Sequence, residues 1–534
     1  MEQPRWWQHG VLYQIYPRSC MDGDGDGVGD LRGVLSRLEY YHWLGVTALW
    51  LSPFYPSPMA DFGYDVSNYT DVDPLFGTLD DFDALLAAAH RLNIKIVVDY
   101  IPNHTSDQHP WFLAARSSRQ HPQRDWYIWR DPAPGGDPPN NWLSVFGGSA
   151  WQWDERTSQY FLHSFLKEQP DLNWRNPDVR QAMGEVLRFW LDRGVDGFRV
   201  DALARVIKEA ALRDDPPNPA YTPGQDPYYQ LLPTYSRDLP ELQEVIGFLR
   251  RIVDEYDDRV VIGEVYLPLP RLIAYYEAGV HLPFNFQLLK VAWQPLIIRQ
   301  VIDTYEGLLS AQQWPNWVLG NHDVSRIATR VGQDQARVAA MLLLTLRGTP
   351  TLYYGDEIGM RDVAIPPALV QDPWEKNVPG RGLGRDPERT PMQWSAERQA
   401  GFTSGTPWLP LADDFMEVNV VAQRHDPRSL LTLYRRLLKL RASAPALHNG
   451  AYAPVGSTGA AGPAGVDEQV LAYTRTGSGN QFLIVLNFSA ALVPFMHAKG
   501  HGHICLSTEL DREGEEVTGT LTLRANEGII VQIA

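Results

Sequence analysis

The chain has 534 residues and a formal net charge of −17, with 44% hydrophobic and 21% charged residues. Its length allows one large domain and one or two smaller ones, and its composition is that of an ordinary globular protein. The negative charge disfavours nucleic acid and anionic membrane surfaces as partners and favours a neutral substrate.

The chain is also rich in aromatic residues, with 18 Trp and 24 Tyr, many of them in polar surroundings. Flat aromatic faces suit sugar rings, although aromatic residues also fill cores. The two cysteines, Cys20 and Cys505, are far apart in sequence and suit a reducing compartment without a disulfide framework. Because no apolar run is long enough for a membrane span and the N-terminal residues lack a signal-peptide core, we predict a cytoplasmic protein.

Near-continuous apolar runs indicate parallel strands that are buried on both faces. In chain order they are VLYQIY, TALWL, IKIVVDY, GFRVD, VVIGE, LPFNF, WVLGN and TLYYG, which begin at Val11, Thr47, Ile94, Gly197, Val260, Leu282, Trp317 and Thr351. Apolar residues at helical spacing lie between most of these runs, for example from Phe82 to Ala89 and from Met183 to Leu191. Eight such units predict a (β/α)8 barrel, an α/β fold.

Two irregular stretches interrupt this pattern. Residues 105–173 are rich in Pro, Gly, Asn and Trp and too long for a simple loop, so we predict an excursion domain after the third strand. Residues 361–426, which include Arg385, follow the eighth strand and should form part of the barrel rim. The catalytic barrel is therefore predicted over residues 1–104 and 174–448, followed over 449–534 by a C-terminal antiparallel β-domain of the sandwich type.

Several of the predicted strands end at a carboxylate, which has to face a cavity at that edge of a barrel. These carboxylates are Asp99, Asp201, Glu264 and Asp323. Any one of them could instead cap a helix or pair with an arginine, but all four at strand ends predict an active site. Two carboxyl groups can break a glycosidic bond, since one attacks the anomeric carbon while the other, protonated, delivers its proton to the leaving oxygen.

The sequence around these carboxylates suggests a different role for each. Arg199 should point to the same side of its strand as Asp201, and its charge should keep that aspartate ionised and nucleophilic. Glu264 ends an apolar run without an adjacent cation, so desolvation should raise its pKa towards that of a general acid. Asp323 follows His322 in a polar cluster suited to binding sugar hydroxyls.

An acidic loop early in the chain, DGDGDGVGD, matches the first part of an EF-hand ligand pattern. Its carboxylates are Asp22, Asp24, Asp26 and Asp30. The twelfth position, where an EF-hand has a bidentate Glu, is Gly33, so a calcium switch is not expected. Because four carboxylates so close would repel one another, we predict a structural Ca2+ site with the Val28 carbonyl as a further ligand and Mg2+ as the alternative ion. The competing interpretation is a solvated acidic turn.

Several segments resemble the α-amylase family of glycoside hydrolases. DYIPNH, GFRVDALAR, GEV and GNHDVSR are similar to the four signature segments of that family in order and spacing, and QPDLNW and GTPTLYYGDEIG are similar to two supplementary segments. DLRG, GYDVSNY and RTPMQW resemble the α-glucosidase and oligo-1,6-glucosidase branch. The resemblance implies that Asp201 is the nucleophile, Glu264 the acid/base and Asp323 the transition-state stabiliser, with retention of the α configuration.

The same resemblance implies which residues bind the substrate. Those expected to line the glucose pocket are Asp61, Tyr64, His104, Arg199, His322 and Arg389, with Phe146 and Phe165 of the excursion domain as further wall residues. Relatives that prefer α-1,6 bonds usually have Val directly after the nucleophile, whereas Ala202 occupies that position here and favours α-1,4 bonds. The alternative is that the rim loops determine the linkage.

These features predict an exo-acting, retaining α-glucosidase that releases glucose from maltose and short malto-oligosaccharides, with sucrose as a further candidate substrate and without an organic cofactor. The main alternative is a glucosyl-transferring or isomerising enzyme such as a trehalose synthase, because a sugar hydroxyl can intercept a covalent glucosyl-enzyme in place of water. A remote alternative is a non-catalytic partner subunit of a membrane transporter, which would have a membrane span and an incomplete carboxylate trio.

Overall fold

The computed structural model describes residues 5–456 and 466–533; residues 1–4 of the predicted barrel and residues 457–465 and 534 of the predicted C-terminal domain lie outside this range. Eight parallel strands form the central sheet, and each corresponds to one of the eight predicted runs. They are β1 (Leu12–Ile15), β2 (Ala48–Leu51), β3 (Lys95–Tyr100), β4 (Gly197–Val200), β5 (Val260–Gly263), β6 (Leu282–Pro283), β7 (Asn316–Val318) and β8 (Thr349–Tyr353).

The strands follow one another around a barrel in chain order. Parallel pairing runs from β1 through β6, while β7 pairs with β8 and β8 pairs with β1. Asn316 joins β6 and β7, because its side chain donates a hydrogen bond to the Pro283 carbonyl and accepts one from the Asn285 N–H at 2.9 Å. The carboxyl ends of all eight strands therefore meet at one face of the barrel, as predicted.

Helices cover the outside of the barrel. The principal ones are α1 (Leu38–Leu44), α2 (Leu79–Arg91), α3 (Pro177–Asp192), α4 (Leu242–Val253), α5 (Leu269–Ala278), α6 (Pro295–Leu308), α7 (Gln333–Thr345) and α8 (Leu430–Ser443). In α2 the apolar residues at helical spacing, from Phe82 to Ala89, are buried, and Thr78 and Asp81 form a reciprocal capping box at its start.

Shorter helices lie in the connections, at Trp6–His9, Pro17–Cys20, Leu31–Ser36, Pro110–Ser117, Gln287–Lys290, Ile327–Val331, Pro373–Asn377, Val420–His425, Pro445–His448 and Val466–Gln469. Single 3-10 turns occur at Arg124–Trp126, Leu203–Arg205, Pro227–Gln230, Asp356–Ile358, Pro367–Leu369, Asp386–Glu388 and Arg398–Gly401. Within residues 5–456 and 466–533, none of the helices has the length and apolar character that a membrane crossing requires.

The excursion after β3 contains a small antiparallel sheet of three strands, Trp129–Arg130, Trp151–Asp154 and Gln159–Leu162. A second irregular connection lies between β4 and α4, over residues 206–241, and contains only the short turn Pro227–Gln230. The sequence pattern did not predict this segment as separate from the barrel, although its run of Asp, Pro and Asn residues is similar in composition to the excursion.

The C-terminal strands are Ala451–Val455, Val470–Gly477, Asn480–Asn487, Val493–Ser507, Glu516–Leu523 and Gly528–Ile533. They form one six-stranded antiparallel sheet, which confirms the predicted antiparallel β-domain. One face of the sheet, with Leu471 and Ile484, joins the main core, while the other, with Leu483 and Val531, forms a separate apolar cluster. Both faces of this sheet are therefore covered by apolar contacts.

Candidate active site

Three of the four strand-end carboxylates converge on the guanidinium of Arg199, which lies on β4 and is only 1% exposed. Its Nη1 lies 2.7 Å from Asp201 Oδ1 and 3.0 Å from Asp99 Oδ1, and its Nη2 lies 3.0 Å from Glu264 Oε1. Three adjacent strands, β3, β4 and β5, thus present one carboxylate each to a single buried cation. This contact brings Asp201 and Glu264 to the same side of the barrel opening.

This geometry corrects two expectations drawn from the sequence. Arg199 contacts Glu264 as well as Asp201, so Glu264 does have a cationic partner, from a neighbouring strand that sequence adjacency does not reveal. Burial and the charge of the nearby Glu264 raise the pKa of Asp201 well above its usual range, in spite of Arg199.

Ala202, directly after Asp201, has a left-handed backbone conformation with φ of 45° and ψ of 33°. This conformation is uncommon for a residue other than glycine and often marks a functional site. The Ala202 N–H donates a hydrogen bond of 2.7 Å to Glu264 Oε2. The turn after β4 therefore positions both Asp201 and, through the Ala202 backbone, Glu264.

Asp323, the fourth strand-end carboxylate, contacts two other arginine side chains. Arg389 Nη2 lies 2.9 Å and Arg385 Nη1 3.3 Å from Asp323 Oδ1. Although burial opposes ionisation, the charges of Arg385 and Arg389 hold the pKa of Asp323 well below its usual range. The surroundings of Asp323 therefore favour its ionised form.

His322 is buried and belongs to a chain of hydrogen bonds. Gln14 Nε2 lies 2.7 Å from His322 Nδ1, and the Tyr64 hydroxyl lies 2.7 Å from His322 Nε2. Burial lowers the pKa of His322, so its ring is neutral, and the Gln14 amide fixes the tautomer with the proton on Nε2. Tyr64 then donates to Asp99 Oδ2 at 3.1 Å, which links His322 to the carboxylates around Arg199.

A second set of polar side chains surrounds Asp61 at the buried end of the site, which we call its inner end. Arg385 Nη2 lies 2.7 Å from Asp61 Oδ1, and its Nε lies 2.6 Å from the buried Asp372. Gln169 Nε2 donates to Asp61 Oδ2 at 3.2 Å and lies 3.1 Å from His104 Nε2. Arg385, predicted only as part of the rim, thus connects Asp61 with Asp323.

These groups surround one cavity of about 360 Å³. Its walls include the three proposed catalytic carboxylates and six of the predicted substrate residues, Asp61, Tyr64, His104, Phe146, Phe165 and His322. The other two predicted substrate residues do not line it: Arg199 and Arg389 lie behind the carboxylates and are 1% and 0% exposed. Both contact catalytic carboxylates directly, so they orient these carboxylates.

The cavity also contains residues that the sequence did not indicate. They are Val145, Ala204, Arg205, Asp226, Tyr228, Tyr229, Arg237, Tyr266, Lys290, Val324, Trp374 and Arg385, while Ala202, which the sequence did indicate, also lines the cavity. Several come from the irregular segment 206–241, whose length alone could have indicated a functional loop. The ring centres of Trp374 and Phe146 lie 5.3 Å apart. The segment after β8 therefore completes a cavity wall that begins in the excursion.

The acidic loop lies apart from the residues that line this cavity. A carboxylate oxygen from each of Asp22, Asp24 and Asp30 lies within 4.8 Å of the others, whereas Asp26 is outside this group. Asp22 accepts hydrogen bonds from neutral donors, among them the Gly25 and Gly27 N–H groups at 2.6 and 2.9 Å. Burial and the charges of Asp22 and Asp24 raise the pKa of Asp30. Three oxygens at this spacing fit a hard cation.

The barrel with its strand-end carboxylates defines a glycosidase-like active site, and comparison with known proteins agrees. The family model "Alpha amylase, catalytic domain" matches residues 14–450. The chain belongs to this α-amylase family.

Individual relatives are similar over most of their length. A "Probable alpha-glucosidase" from Rhizobium meliloti (strain 1021) is 43% identical over 463 residues, which cover 83% of this chain and 84% of the relative. An "Oligo-1,6-glucosidase" from Parageobacillus thermoglucosidasius is 38% identical over 525 residues, 91% of this chain and 90% of the relative. This chain superimposes on the crystal structure of the alpha-glucosyl transfer enzyme XgtA with a TM-score of 0.93. The two are 40% identical in sequence, and the match covers 100% of each chain.

Proposed function

We propose that this protein is an exo-acting, retaining α-glucosidase. The observation that supports this most directly is the contact of Asp201 and Glu264 with one guanidinium at the mouth of a barrel, in the same cavity as Asp323, whose pKa is lowered. A retaining glycosidase needs two carboxyl groups close together, one as nucleophile and one as acid, whereas an inverting enzyme keeps them apart to admit a water molecule. The family and the α-glucosidase relatives support the same activity.

The proposed reaction has two steps. In the first, Asp201 attacks the anomeric carbon, the bond from that carbon to the leaving oxygen breaks, and Glu264 gives its proton to that oxygen. In the second, Glu264 takes a proton from water, the resulting hydroxide bonds to the anomeric carbon, and Asp201 leaves. Asp323 stabilises the positive charge that develops on the sugar.

An exo mode of action is supported by the closed inner end of the cavity. Asp61, Tyr64 and His104 are 4%, 5% and 1% exposed, and Arg385 ties Asp61 to the surrounding structure. A chain of several sugars cannot extend past these residues, so only a terminal glucose fits beyond the carboxylates. We accordingly assign maltose and short malto-oligosaccharides as substrates, with sucrose as a further candidate, and α-1,4 as the preferred linkage.

A second candidate activity is transfer of glucose to an acceptor other than water. The similarity to the glucosyl transfer enzyme XgtA favours it, since the intermediate on Asp201 could be attacked by a sugar or alcohol hydroxyl. An isomerising enzyme such as a trehalose synthase is less favoured, because the relatives include α-glucosidases and oligo-1,6-glucosidases.

Two further proposals concern the rest of the chain. We propose that the acidic loop binds a structural cation, Ca2+ in preference to Mg2+, through Asp22, Asp24, Asp30 and the Val28 carbonyl, with Asp26 as an outer residue. Such an ion would supply the positive charge that these carboxylates need and would act on stability rather than catalysis. We also propose a cytoplasmic location, supported by the free cysteines Cys20 and Cys505.

Time-resolved product analysis tests the activity. Maltose, isomaltose, sucrose and trehalose should be incubated separately, with sugars resolved by chromatography and anomers by NMR. We expect α-glucose to appear first from maltose, followed by mutarotation. Release of β-glucose would contradict a retaining mechanism, and accumulation of trehalose from maltose would indicate the isomerising alternative.

A further inference from the structure

The open side of the catalytic cavity has three positively charged side chains that the proposed reaction does not use. They are Arg205, Arg237 and Lys290, and all three line the cavity. Tyr229, on the same side, is 52% exposed, whereas Asp61 and Tyr64 at the inner end are almost fully buried. Since a terminal glucose occupies the inner end, the cations lie where the leaving portion of a glucoside has to extend.

These cations have aromatic rather than acidic partners. Arg205 donates to the Tyr228 hydroxyl at 2.6 Å and lies 5.5 Å from the centre of the Phe165 ring. Lys290 Nζ lies 4.7 Å from the centre of the Tyr266 ring. In the described ranges 5–456 and 466–533, none of the three cations lies within 4.0 Å of a carboxylate.

The acidic residues nearby are already engaged elsewhere. Asp238 forms an ion pair of 2.7 Å with Arg271 and accepts a hydrogen bond from Tyr275. Asp226, which also lines the cavity, caps the turn Pro227–Gln230 by accepting from the Tyr228 N–H at 3.0 Å. Neither residue therefore neutralises the three cations.

Such an arrangement is costly for the free protein. Burial lowers the pKa of Arg237, and the charge of Arg205 acts in the same direction. Burial and the charge of Arg237 likewise lower the pKa of Lys290. Cations that are partly desolvated and lie near one another cost free energy unless an anion compensates them. The catalytic carboxylates do not explain them, because Arg199, Arg385 and Arg389 already contact those groups directly.

We propose that Arg205, Arg237 and Lys290 form a subsite for an anionic group on the leaving portion of the substrate. The preferred substrates are then α-glucosides whose aglycone has a carboxylate or a phosphate group, and the inference rests on the α-glucosidase function proposed above. The net charge of −17, which by itself favours neutral substrates, does not oppose this. Charges more than about 8 Å away are largely screened at physiological ionic strength, so the three local cations dominate inside the cavity.

A matched pair of substrates tests the subsite. The purified protein is assayed with 4-carboxyphenyl α-D-glucoside and with 4-carbamoylphenyl α-D-glucoside, which have the same shape and differ in charge. We expect kcat/KM to be about tenfold higher for the carboxylate, as one favourable charge contact provides, mostly through a lower KM. A second pair, maltose and maltose phosphorylated on O6 of its reducing glucose, distinguishes phosphate from carboxylate as the preferred anion.

Charge-neutral variants locate the effect. In Arg237→Gln/Lys290→Gln, which retains only Arg205 of the three cations, the ratio of kcat/KM for the carboxylate to that for the amide should fall most of the way towards one, and each single variant should give an intermediate ratio, because the cations act on the same group. Lys439→Gln, which removes an exposed charge on α8, should leave the ratio unchanged. Raising the salt concentration should reduce the ratio of the unmodified protein in the same direction as the double variant. Melting temperatures of all variants show whether each is folded.

The possible outcomes separate this inference from the proposed function. If the unmodified protein hydrolyses neither aryl glucoside nor maltose, the α-glucosidase assignment itself fails. If it hydrolyses the amide as fast as the carboxylate and maltose as fast as its phosphate, the assignment stands and the anionic subsite is wrong. The subsite is also wrong if the ratio survives in the folded double variant.

Discussion

Two groups of acidic side chains in this protein are stabilised in different ways. In the active site, Asp201, Glu264 and Asp323 each contact a buried guanidinium. In the loop after β1, Asp22 and Asp30 accept hydrogen bonds mainly from neutral backbone N–H groups. The difference shows how similar residues serve different purposes. Guanidinium groups of the chain hold the catalytic carboxylates, whereas the loop carboxylates pair mainly with neutral donors, which is why we propose an ion for the loop and none for the active site.

The largest expected effect follows from replacing the carboxylate that attacks the sugar. Asp201→Asn should reduce kcat for maltose by about 10⁴-fold or more, because the covalent intermediate can no longer form. The pKa of Asp201 is raised in the folded protein, so the ionised form costs stability above the pKa of the unfolded chain. The variant should therefore melt at a slightly higher temperature at neutral pH. Full activity in a folded Asp201→Asn protein would contradict the assigned role.

The next largest effect concerns Arg385, which joins the inner end of the cavity to Asp323. Arg385→Gln leaves Asp61 and Asp372 without the guanidinium that they contact and leaves Asp323 with Arg389 alone, and breaking such a buried pair costs about 3–5 kcal/mol. We expect a lower melting temperature and a fall in kcat/KM for maltose of roughly 10²-fold or more, since the glucose-binding groups lose their orientation. Arg381→Gln, an exposed neighbour in the same segment, is the control and should change neither quantity substantially.

The pH dependence of kcat/KM tests the raised pKa of Asp201. Activity should fall at acidic pH because Asp201 becomes protonated, and its raised pKa places this limb above that of an ordinary aspartate. The charge of Asp99 contributes to the raised pKa, and Asp99 also shares Arg199. Asp99→Asn should therefore move the acidic limb to lower pH by about one unit. A limb that stays in place or moves upward would contradict this electrostatic account.

Removal of divalent ions tests the acidic loop. EDTA should lower the melting temperature and added Ca2+ should restore it, since an ion at 100 times its Kd stabilises the folded state by about 2.7 kcal/mol. Asp24→Asn should abolish this dependence, while Asp26→Asn, outside the converging group, should retain most of it. The kcat for maltose should change little in either protein. A melting temperature that responds to neither EDTA nor Ca2+ would favour the solvated acidic turn.

The sequence predicted the barrel and the strand-end carboxylates because both depend on local patterns. Buried parallel strands appear in the sequence as apolar runs, and a carboxylate at the end of such a run has to face the cavity at that edge of the barrel. It did not predict Arg385, Arg237 or Lys290 as cavity residues, since their positions depend on how irregular segments fold across the barrel. The partner of Glu264 was missed for a related reason: Arg199 is 65 residues away in sequence and adjacent only through the pairing of β4 with β5.

The smallest expected effect concerns the linkage preference attributed to Ala202. Its methyl group lines the cavity beside Asp201, and its left-handed backbone is a conformation that β-branched residues adopt at a cost. Ala202→Val should reduce kcat/KM for maltose relative to isomaltose by a few-fold, because the added methyl groups narrow the space for the leaving sugar. Ala204→Val, which also changes the cavity wall but does not follow the nucleophile, separates a specific effect from general crowding. An equal shift in both variants would mean that the rim segments, rather than the residue after Asp201, determine the linkage.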